Sequence, residues 1–116
     1  MDLKQKKCVP CEIGTPPFTK DQYEPLLKQL KLDWEVIEEK KQGASTKLRR
    51  EFKFKDFVEA ISFVNKVADL AEEEGHHPNF HIYYSRVVVD LYTHKINGLS
   101  ENDFILAAKI EELSEV

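Results

Sequence analysis

The chain has 116 residues, of which 41% are hydrophobic and 33% charged, and this composition is typical of one folded globular domain. Its formal charge of -4 offers no general attraction for a nucleic-acid backbone, and its apolar runs are too short to cross a membrane. The first residues lack the apolar stretch of a secretory signal, so we expect a cytoplasmic protein with free thiols.

An N-terminal arm is predicted over residues 1–18, which hold three of the five prolines and one of the four glycines. We expect this arm to be irregular and to be tied to the rest of the chain by Val9, Ile13 and Phe18. Residues 19–116 are then expected to form a single domain.

Two cysteines in the arm, Cys8 and Cys11, have C-x-x-C spacing. No second cysteine pair completes a four-ligand zinc site, and a redox pair would need to open a helix after a strand. We therefore expect two small thiols that pack the arm, with no metal and no cofactor.

The first helix is predicted from the capping pair Thr19 and Gln22, which precedes apolar residues at helical spacing, namely Tyr23, Leu26, Leu27 and Leu30. Pro25 is comfortable only in a first turn, so this helix is expected to start late or to bend. Alternating segments follow over 33–40 and 47–54, and the glycine turn between them predicts an antiparallel hairpin.

A second helix is predicted from Asp56 to Glu74, with Gly75 as its stop. Its apolar stripe comprises Phe57, Ile61, Val64, Ala68 and Ala71, widened by Ala60 and Val67.

The stretch from 81 to 93 is rich in β-branched and aromatic residues and must be extended. Its strongly apolar side carries Val87, Val89 and Leu91, and its other side carries Val88 and Tyr92. Ser100 and Asp103 then cap a last helix, which is expected to bury Ile105, Leu106, Ile110 and Leu113.

These elements predict an α+β fold, in which helices pack on one face of an antiparallel sheet. An exposed sheet edge and a partly apolar second face predict self-association, through sheet edges or the last helix.

All four histidines, His76, His77, His81 and His94, lie within nineteen residues. His76 and His77 are adjacent and cannot easily share one metal ion. Proton transfer fits better, because an imidazole with a pKa of about 6.5 both gives and takes a proton near neutral pH. The alternative from spacing alone is that these are surface histidines at the ends of a helix and a strand.

The signature residues Glu72, His76, His77, Pro78, Tyr84, His94 and Asp103 stand at the spacing found in the pterin-4a-carbinolamine dehydratases, and the chain resembles that family. The similarity extends from "LDW" through "REFKFKDF" to "THKINGLSENDFILAAKIEEL" and covers about residues 19–113. The chain departs from animal members at Phe80, where tryptophan is usual, at His81, and in its cysteine-proline arm.

The resemblance implies three helices packed on one face of a four-stranded antiparallel sheet, in the order αββαββα. The extended stretch should therefore break into two strands near Ser85 and Arg86.

The resemblance also implies an enzyme, a hydro-lyase that removes water from a 4a-hydroxytetrahydropterin to give a quinonoid dihydropterin, in tetrahydrobiopterin recycling. The reaction needs an acid for the departing hydroxyl group and a base for the N5 proton. His76 and His94 are the candidates, and which is the acid stays open.

The remaining signature residues are expected to bind or support the substrate. His77 binds and orients the pterin, and Asp103 both caps the last helix and orients a histidine. Glu72 either holds a histidine tautomer or is a solvated carboxylate. Tyr84 is expected as a pocket-wall aromatic, and Pro78 shapes the turn.

The expected partners are the pterin substrate and further copies of this chain in a homodimer or homotetramer. The resemblance also implies a pathway shared with an aromatic amino-acid hydroxylase. No direct contact with nucleic acid or membrane is expected. The alternative function is a dimerisation cofactor, or coactivator, of a transcription factor on the same fold.

Overall fold

The computed structural model describes residues 2–10, 12–38 and 46–114. These ranges contain three α-helices and one four-stranded antiparallel sheet of order β1-β2-β4-β3, and so confirm the predicted α+β class. The elements are α1 (Lys20–Gln29), β1 (Glu35–Glu38), β2 (Thr46–Lys53), α2 (Phe57–Glu74), β3 (Asn79–Tyr83), β4 (Arg86–Leu91) and α3 (Glu101–Ser114).

Both predicted hairpins form. β1 pairs with β2, with Val36 opposite Leu48, although residues 41–45 of the predicted turn lie outside the described residues. β3 pairs with β4 and ends with Tyr83 opposite Arg86, so the break expected from the family resemblance falls at Tyr84 and Ser85.

The core lies between the sheet and the helices. The apolar side predicted for β4 is fully buried at Val87, Val89 and Leu91, and it shares one hydrophobic cluster with the buried side of α3, which includes Phe104, Ile105, Leu106 and Ile110. Each such side chain stabilises the fold by about 1.5–3 kcal/mol relative to exposure. Leu113 is only partly buried, so α3 is less covered at its end.

The stripe predicted for α2 is only partly right, since Ala60, Val67 and Ala71 are buried but its centre lies elsewhere. The helix buries Ala60, Phe63, Val67, Ala71 and Glu74, whereas Phe57 is 48% exposed. Phe63 is absent from the predicted stripe, yet its ring lies 4.8 Å from that of Phe52 and 5.0 Å from that of Phe54. These aromatic contacts with the end of β2 rotate the helix and leave an apolar strip exposed.

The first helix does not start late. It begins at Lys20, directly after Thr19, whose backbone N–H donates to the Gln22 side chain at 2.8 Å. Pro25 stands inside this helix, where its missing N–H leaves one hydrogen bond to the preceding turn unmade.

Of the three side chains predicted to attach the arm, Phe18 packs against the core, whereas Val9 and Ile13 do not. Val9 is 64% and Ile13 85% exposed, whereas Leu3 and Cys8 are buried in the core. A short 3₁₀ turn, Leu3–Gln5, packs against α3. The other cysteine, Cys11, lies outside the described residues.

The second face of the sheet is more charged than the sequence indicated. Register places Glu35, Arg49, Glu51, Asp90 and Arg86 on the side opposite Val87, beside the half-buried Val88. The last helix is also a poor surface for association, because α1, α2 and the arm all pack against it. Within the described ranges, no helix is long and apolar enough to span a membrane.

Candidate active site

The end of α2 presents His76 to a buried carboxylate. Gly75 ends the helix in the left-handed region at φ 69°, and its N–H donates to the Ala71 carbonyl at 2.9 Å. The chain turns there, and the Nε2 atom of His76 comes to 2.6 Å from Oδ1 of Asp103. The His76 side chain is only 12% exposed and that of Asp103 is fully buried, so solvent screens this contact weakly.

The second oxygen of Asp103 binds the start of α3. Oδ2 accepts the backbone N–H of Ser100 at 2.9 Å and the hydroxyl of Thr93 at 3.0 Å. Since the single Thr93 proton goes to the carboxylate, the Ser100 hydroxyl donates to Thr93 Oγ1, 2.8 Å away. Asp103 therefore makes both contacts that its predicted dual role requires.

This network fixes one ring nitrogen of His76. An ionised carboxylate can only accept, so Nε2 of His76 carries a hydrogen and donates it to Asp103. Nδ1 is then the ring nitrogen through which His76 can exchange a proton with a substrate.

His77 and Glu72 form a looser pair. Nε2 of His77 lies 3.2 Å from Oε2 of Glu72, and the two side chains are 59% and 80% exposed. An ion pair this open to water adds little stability. Glu72 thus contacts a histidine, but not His76. Pro78 stands immediately before β3, where it has no ladder hydrogen bond to lose.

His94 lies next in the chain to Thr93, which belongs to this network. It opens a short 3₁₀ turn, His94–Ile96. Its ring lies 4.2 Å from the ring of Tyr92. Because Asn79 pairs with Asp90, the start of β3 and the end of β4 lie side by side at the same end of the sheet. The two chain segments that bear His76, His77 and His94 therefore converge.

Tyr84 does not lie at this end of the sheet. It forms the turn at the opposite end of the β3–β4 hairpin, with a positive φ of 53° and 69% of its surface exposed. Within one chain, Tyr84 therefore does not line a pocket beside His76, because a hairpin of five paired positions separates them.

A second histidine–carboxylate contact was not expected from the sequence. His81 Nε2 lies 3.2 Å from Oδ2 of Asp90, and the two oxygens of this carboxylate also accept from Arg49 at 2.6 and 2.9 Å. Burial opposes ionisation of Asp90, but Arg49 and His81 outweigh it and hold the pKa of that carboxyl below its usual range. The sequence held one signal for this contact, namely that alternation along the strands places Arg49, His81 and Asp90 on the same face of the sheet.

Cys8 has the environment of an inert thiol. Burial, reinforced by the negative charge of Glu74, raises its pKa to about 12, so the thiol is neutral near pH 7. Among the residues that the structure describes, no group of three or more histidine, cysteine or acidic side chains could hold a metal ion.

Comparison with known proteins identifies the family. The family model described as pterin 4 alpha carbinolamine dehydratase matches residues 16–113. The chain belongs to the pterin-4a-carbinolamine dehydratase family. Two curated relatives, both named only provisionally as dehydratases of this family, come from Rickettsia canadensis and Alkaliphilus metalliredigens. The first is 50% identical over 94% of each chain, and the second is 46% identical over 96% of this chain and 95% of its own.

Two solved structures share the fold of this pterin dehydratase family member. A Brucella melitensis protein described as a transcriptional coactivator/pterin dehydratase has a TM-score of 0.73 and 33% identity, over 84% of this chain and 98% of its own. A pterin dehydratase-like protein described as a RuBisCO assembly factor has a TM-score of 0.59 over 72% of this chain and 92% of its own. At 22% identity, the second likeness shows the fold alone.

Proposed function

We propose that the chain dehydrates 4a-hydroxytetrahydropterins by histidine acid–base catalysis. The observation that carries the proposal is the contact between His76 and the buried Asp103, which Thr93 connects to the segment bearing His94. Family membership supplies the substrate class, and the described residues supply groups suited to proton transfer.

The reaction requires two proton movements. A base removes the proton from N5 of the pterin while an acid protonates the hydroxyl group on C4a. The C4a–O bond breaks, water leaves, and the electron pair from N5 forms the C4a=N5 double bond. No electron is gained or lost, so the step needs no redox partner.

His76 is better suited to the base. Asp103 holds its Nε2–H and would stabilise the imidazolium that forms when Nδ1 takes the N5 proton. His94, exposed at the edge of the sheet, then supplies the proton to the departing hydroxyl group. The exposed His77, loosely paired with Glu72, is free to orient the pterin ring.

The direct test is a dehydration assay on the purified protein with chemically prepared 4a-hydroxytetrahydropterin, followed by the absorbance of the quinonoid product. We expect turnover well above the spontaneous rate, unchanged after extensive chelation, because no step uses a metal. Quenching of pterin fluorescence measures binding independently. A rate no faster than buffer, in a folded protein, would refute the proposed function.

In the cell, we propose a cytoplasmic role in tetrahydrobiopterin recycling after an aromatic amino-acid hydroxylase. The product's reactive C4a=N5 bond must be reduced before the pterin is used again, so a reductase should follow. Deletion of the gene should cause 4a-hydroxytetrahydropterin or its rearrangement products to accumulate.

A second candidate function is coactivation of a transcription factor. It is favoured by the exposed apolar strip of α2, where Phe57 is 48% and Val58 76% exposed, and by the description of the Brucella protein. Pull-down with a helical dimerisation domain, using wild-type protein and a Val58→Asp variant, tests it. If Val58→Asp no longer binds the helical dimerisation domain but dehydrates the pterin at the wild-type rate, coactivation and catalysis are separate functions.

A further inference from the structure

The N-terminal arm contacts all three segments that carry the candidate catalytic groups. These segments are the end of α2 before His76, the start of α3 at Asp103, and the loop after His94. Almost all of the arm lies outside the family model, whose match begins at residue 16. Beside the apolar packing of Leu3 and Cys8, the arm makes specific hydrogen bonds to these segments, and none of them serves the chemistry directly.

The first attachment is to the last residue of α2. Oε1 of Glu74 accepts the backbone N–H of Cys8 at 2.9 Å, and Oε2 accepts from Lys109 of α3 at 2.7 Å. Burial opposes ionisation of Glu74, but these hydrogen bonds outweigh it and leave the pKa of the carboxyl below its usual range. Glu74 is 8% exposed and stands two residues before His76.

The second attachment is to the first turn of α3. The side chain of Asn102 accepts the backbone N–H of Val9 at 3.0 Å, and its amide donates to the Val9 carbonyl. Asn102 immediately precedes Asp103 and is 5% exposed. Lys6 adds an ion pair with Glu101 at 2.8 Å.

The third attachment is to the loop after His94. The backbone N–H of Phe18 donates to the Leu99 carbonyl at 2.8 Å. Pro17 packs so closely on Gly98 that a Cβ atom added to the glycine would lie 2.5 Å from the Cβ atom of the proline. Glycine is therefore required at residue 98 by close approach.

We propose that the arm positions the candidate active site, with Asn102 as the main positioning residue. By joining α2 to α3 through Cys8 and Val9, it fixes the spacing at which His76 meets Asp103. That contact is 2.6 Å long and partly buried, and a displacement of about 1 Å would break its hydrogen-bond geometry. The catalytic consequence rests on the proposed dehydratase function, whereas the geometric consequence does not.

The test compares Asn102→Ala with Val9→Ala. Both changes remove a side chain at one contact, but only the Asn102 side chain makes the hydrogen bonds, since Val9 bonds through its backbone and is 64% exposed. Lys4→Ala is a second control, because Lys4 pairs with Glu112, far along α3 from Asp103. Asn102→Asp keeps the acceptor but loses the donor, and serves if the alanine variant does not fold.

Two readouts separate positioning from simple stabilisation. The ¹⁵N and ¹H resonances of the His76 imidazole report its hydrogen bond to Asp103 whether or not the protein is active. We expect Asn102→Ala to weaken that hydrogen bond and to lower kcat roughly 10- to 100-fold with KM little changed. Val9→Ala and Lys4→Ala should leave both readouts at the wild-type values.

The outcomes distinguish the two proposals. A folded Asn102→Ala protein with a lower Tm, but with wild-type His76 resonances and kcat, would overturn the positioning role. If wild-type protein shows no dehydration, the proposed function fails while the His76 resonances still decide the role of the arm.

Discussion

At the scale of single residues, Asp103 joins fold and chemistry. One carboxylate oxygen caps α3 through Ser100, and the other holds His76. The capping contact was predictable because its pattern is local, and the family resemblance implied a histidine partner without indicating which histidine it is. Neither indicated Thr93, whose hydroxyl completes the network, since nothing in its neighbours reveals a partner ten residues away.

Replacing Asp103 with asparagine should separate these roles. The amide keeps an acceptor for Ser100 but removes the charge that would stabilise the His76 imidazolium. We expect kcat to fall by about 10²-fold or more, within the range for acid–base groups, with modest loss of stability. The matched control is Asp90→Asn, which alters an equally buried carboxylate on the face of the sheet opposite Val87. Equal kinetic defects in the two folded variants would contradict this assignment.

Cys8 yields a prediction about pH. Its folded pKa, about 12, is raised above the ordinary 9.0, so its contribution to stability is complete below pH 9 and is lost as pH rises toward 12. In a Cys11→Ser variant, iodoacetamide should label Cys8 far more slowly at pH 8 in the folded than in the denatured protein. Similar rates in both states would show that the thiol is accessible.

At the scale of elements, the order and type of helices and strands were predictable from the sequence, but not which side of α2 is buried. That helix has apolar residues on two sides, one with Phe57 and Ile61 and the other with Phe63. The aromatic contacts of Phe63 with Phe52 and Phe54 decide between them, and those contacts depend on tertiary packing. The break at Tyr84 came from the family resemblance, because β-branched and aromatic residues run through it without a glycine or proline.

The arm was the least predictable element. Exposed hydrophobic residues such as Val9 and Ile13 look like anchors in a sequence, whereas the actual anchors include backbone groups and one buried thiol. Backbone hydrogen bonds to Glu74 and Asn102 leave no mark in the sequence of the arm.

Gly75 offers a test of how α2 ends. Its φ of 69° is strained for residues with a Cβ atom, so Gly75→Ala should lower the free energy of unfolding by about 1–2 kcal/mol. Crowding is not the cause, because a Cβ atom at this position would meet no atom within 4 Å beyond its chain neighbours. Gly75→Asn should cost less, since asparagine tolerates this conformation. Urea denaturation measures both, and equal stability of Gly75→Ala and wild type would contradict the argument.

In the molecule as a whole, the sheet has two edge strands, β1 on one side and β3 on the other. Ile82 is 40% and Tyr83 53% exposed on β3. An antiparallel pair of β3 strands from two copies would satisfy the free edge and would carry Tyr84 of one copy toward Pro78 of the other. Such a pairing would explain how Tyr84 could serve a site that its own chain places beyond reach.

We therefore expect a homodimer or homotetramer built through this edge. Light scattering at micromolar concentration should give a mass of at least two chains, and Ile82→Lys should shift the protein toward the monomer by placing a charge at the edge. Val58→Lys places the same charge on α2 and serves as a control for edge pairing. A wild-type monomer at these concentrations would contradict the expectation.

His76 and His94 are proposed to act together on one pterin, and steady-state dehydration kinetics on single alanine variants of all four histidines can decide whether they do. His76→Ala and His94→Ala should each lower the rate by about 10²–10⁴-fold, and the double variant by less than the product. His77→Ala should mainly raise KM. His81→Ala should change the rate little, because His81 contacts Asp90 on the face of the sheet opposite Val87, away from Asp103. Near-normal turnover in folded His76→Ala or His94→Ala protein, or an equal defect in His81→Ala, would contradict a joint catalytic role of His76 and His94.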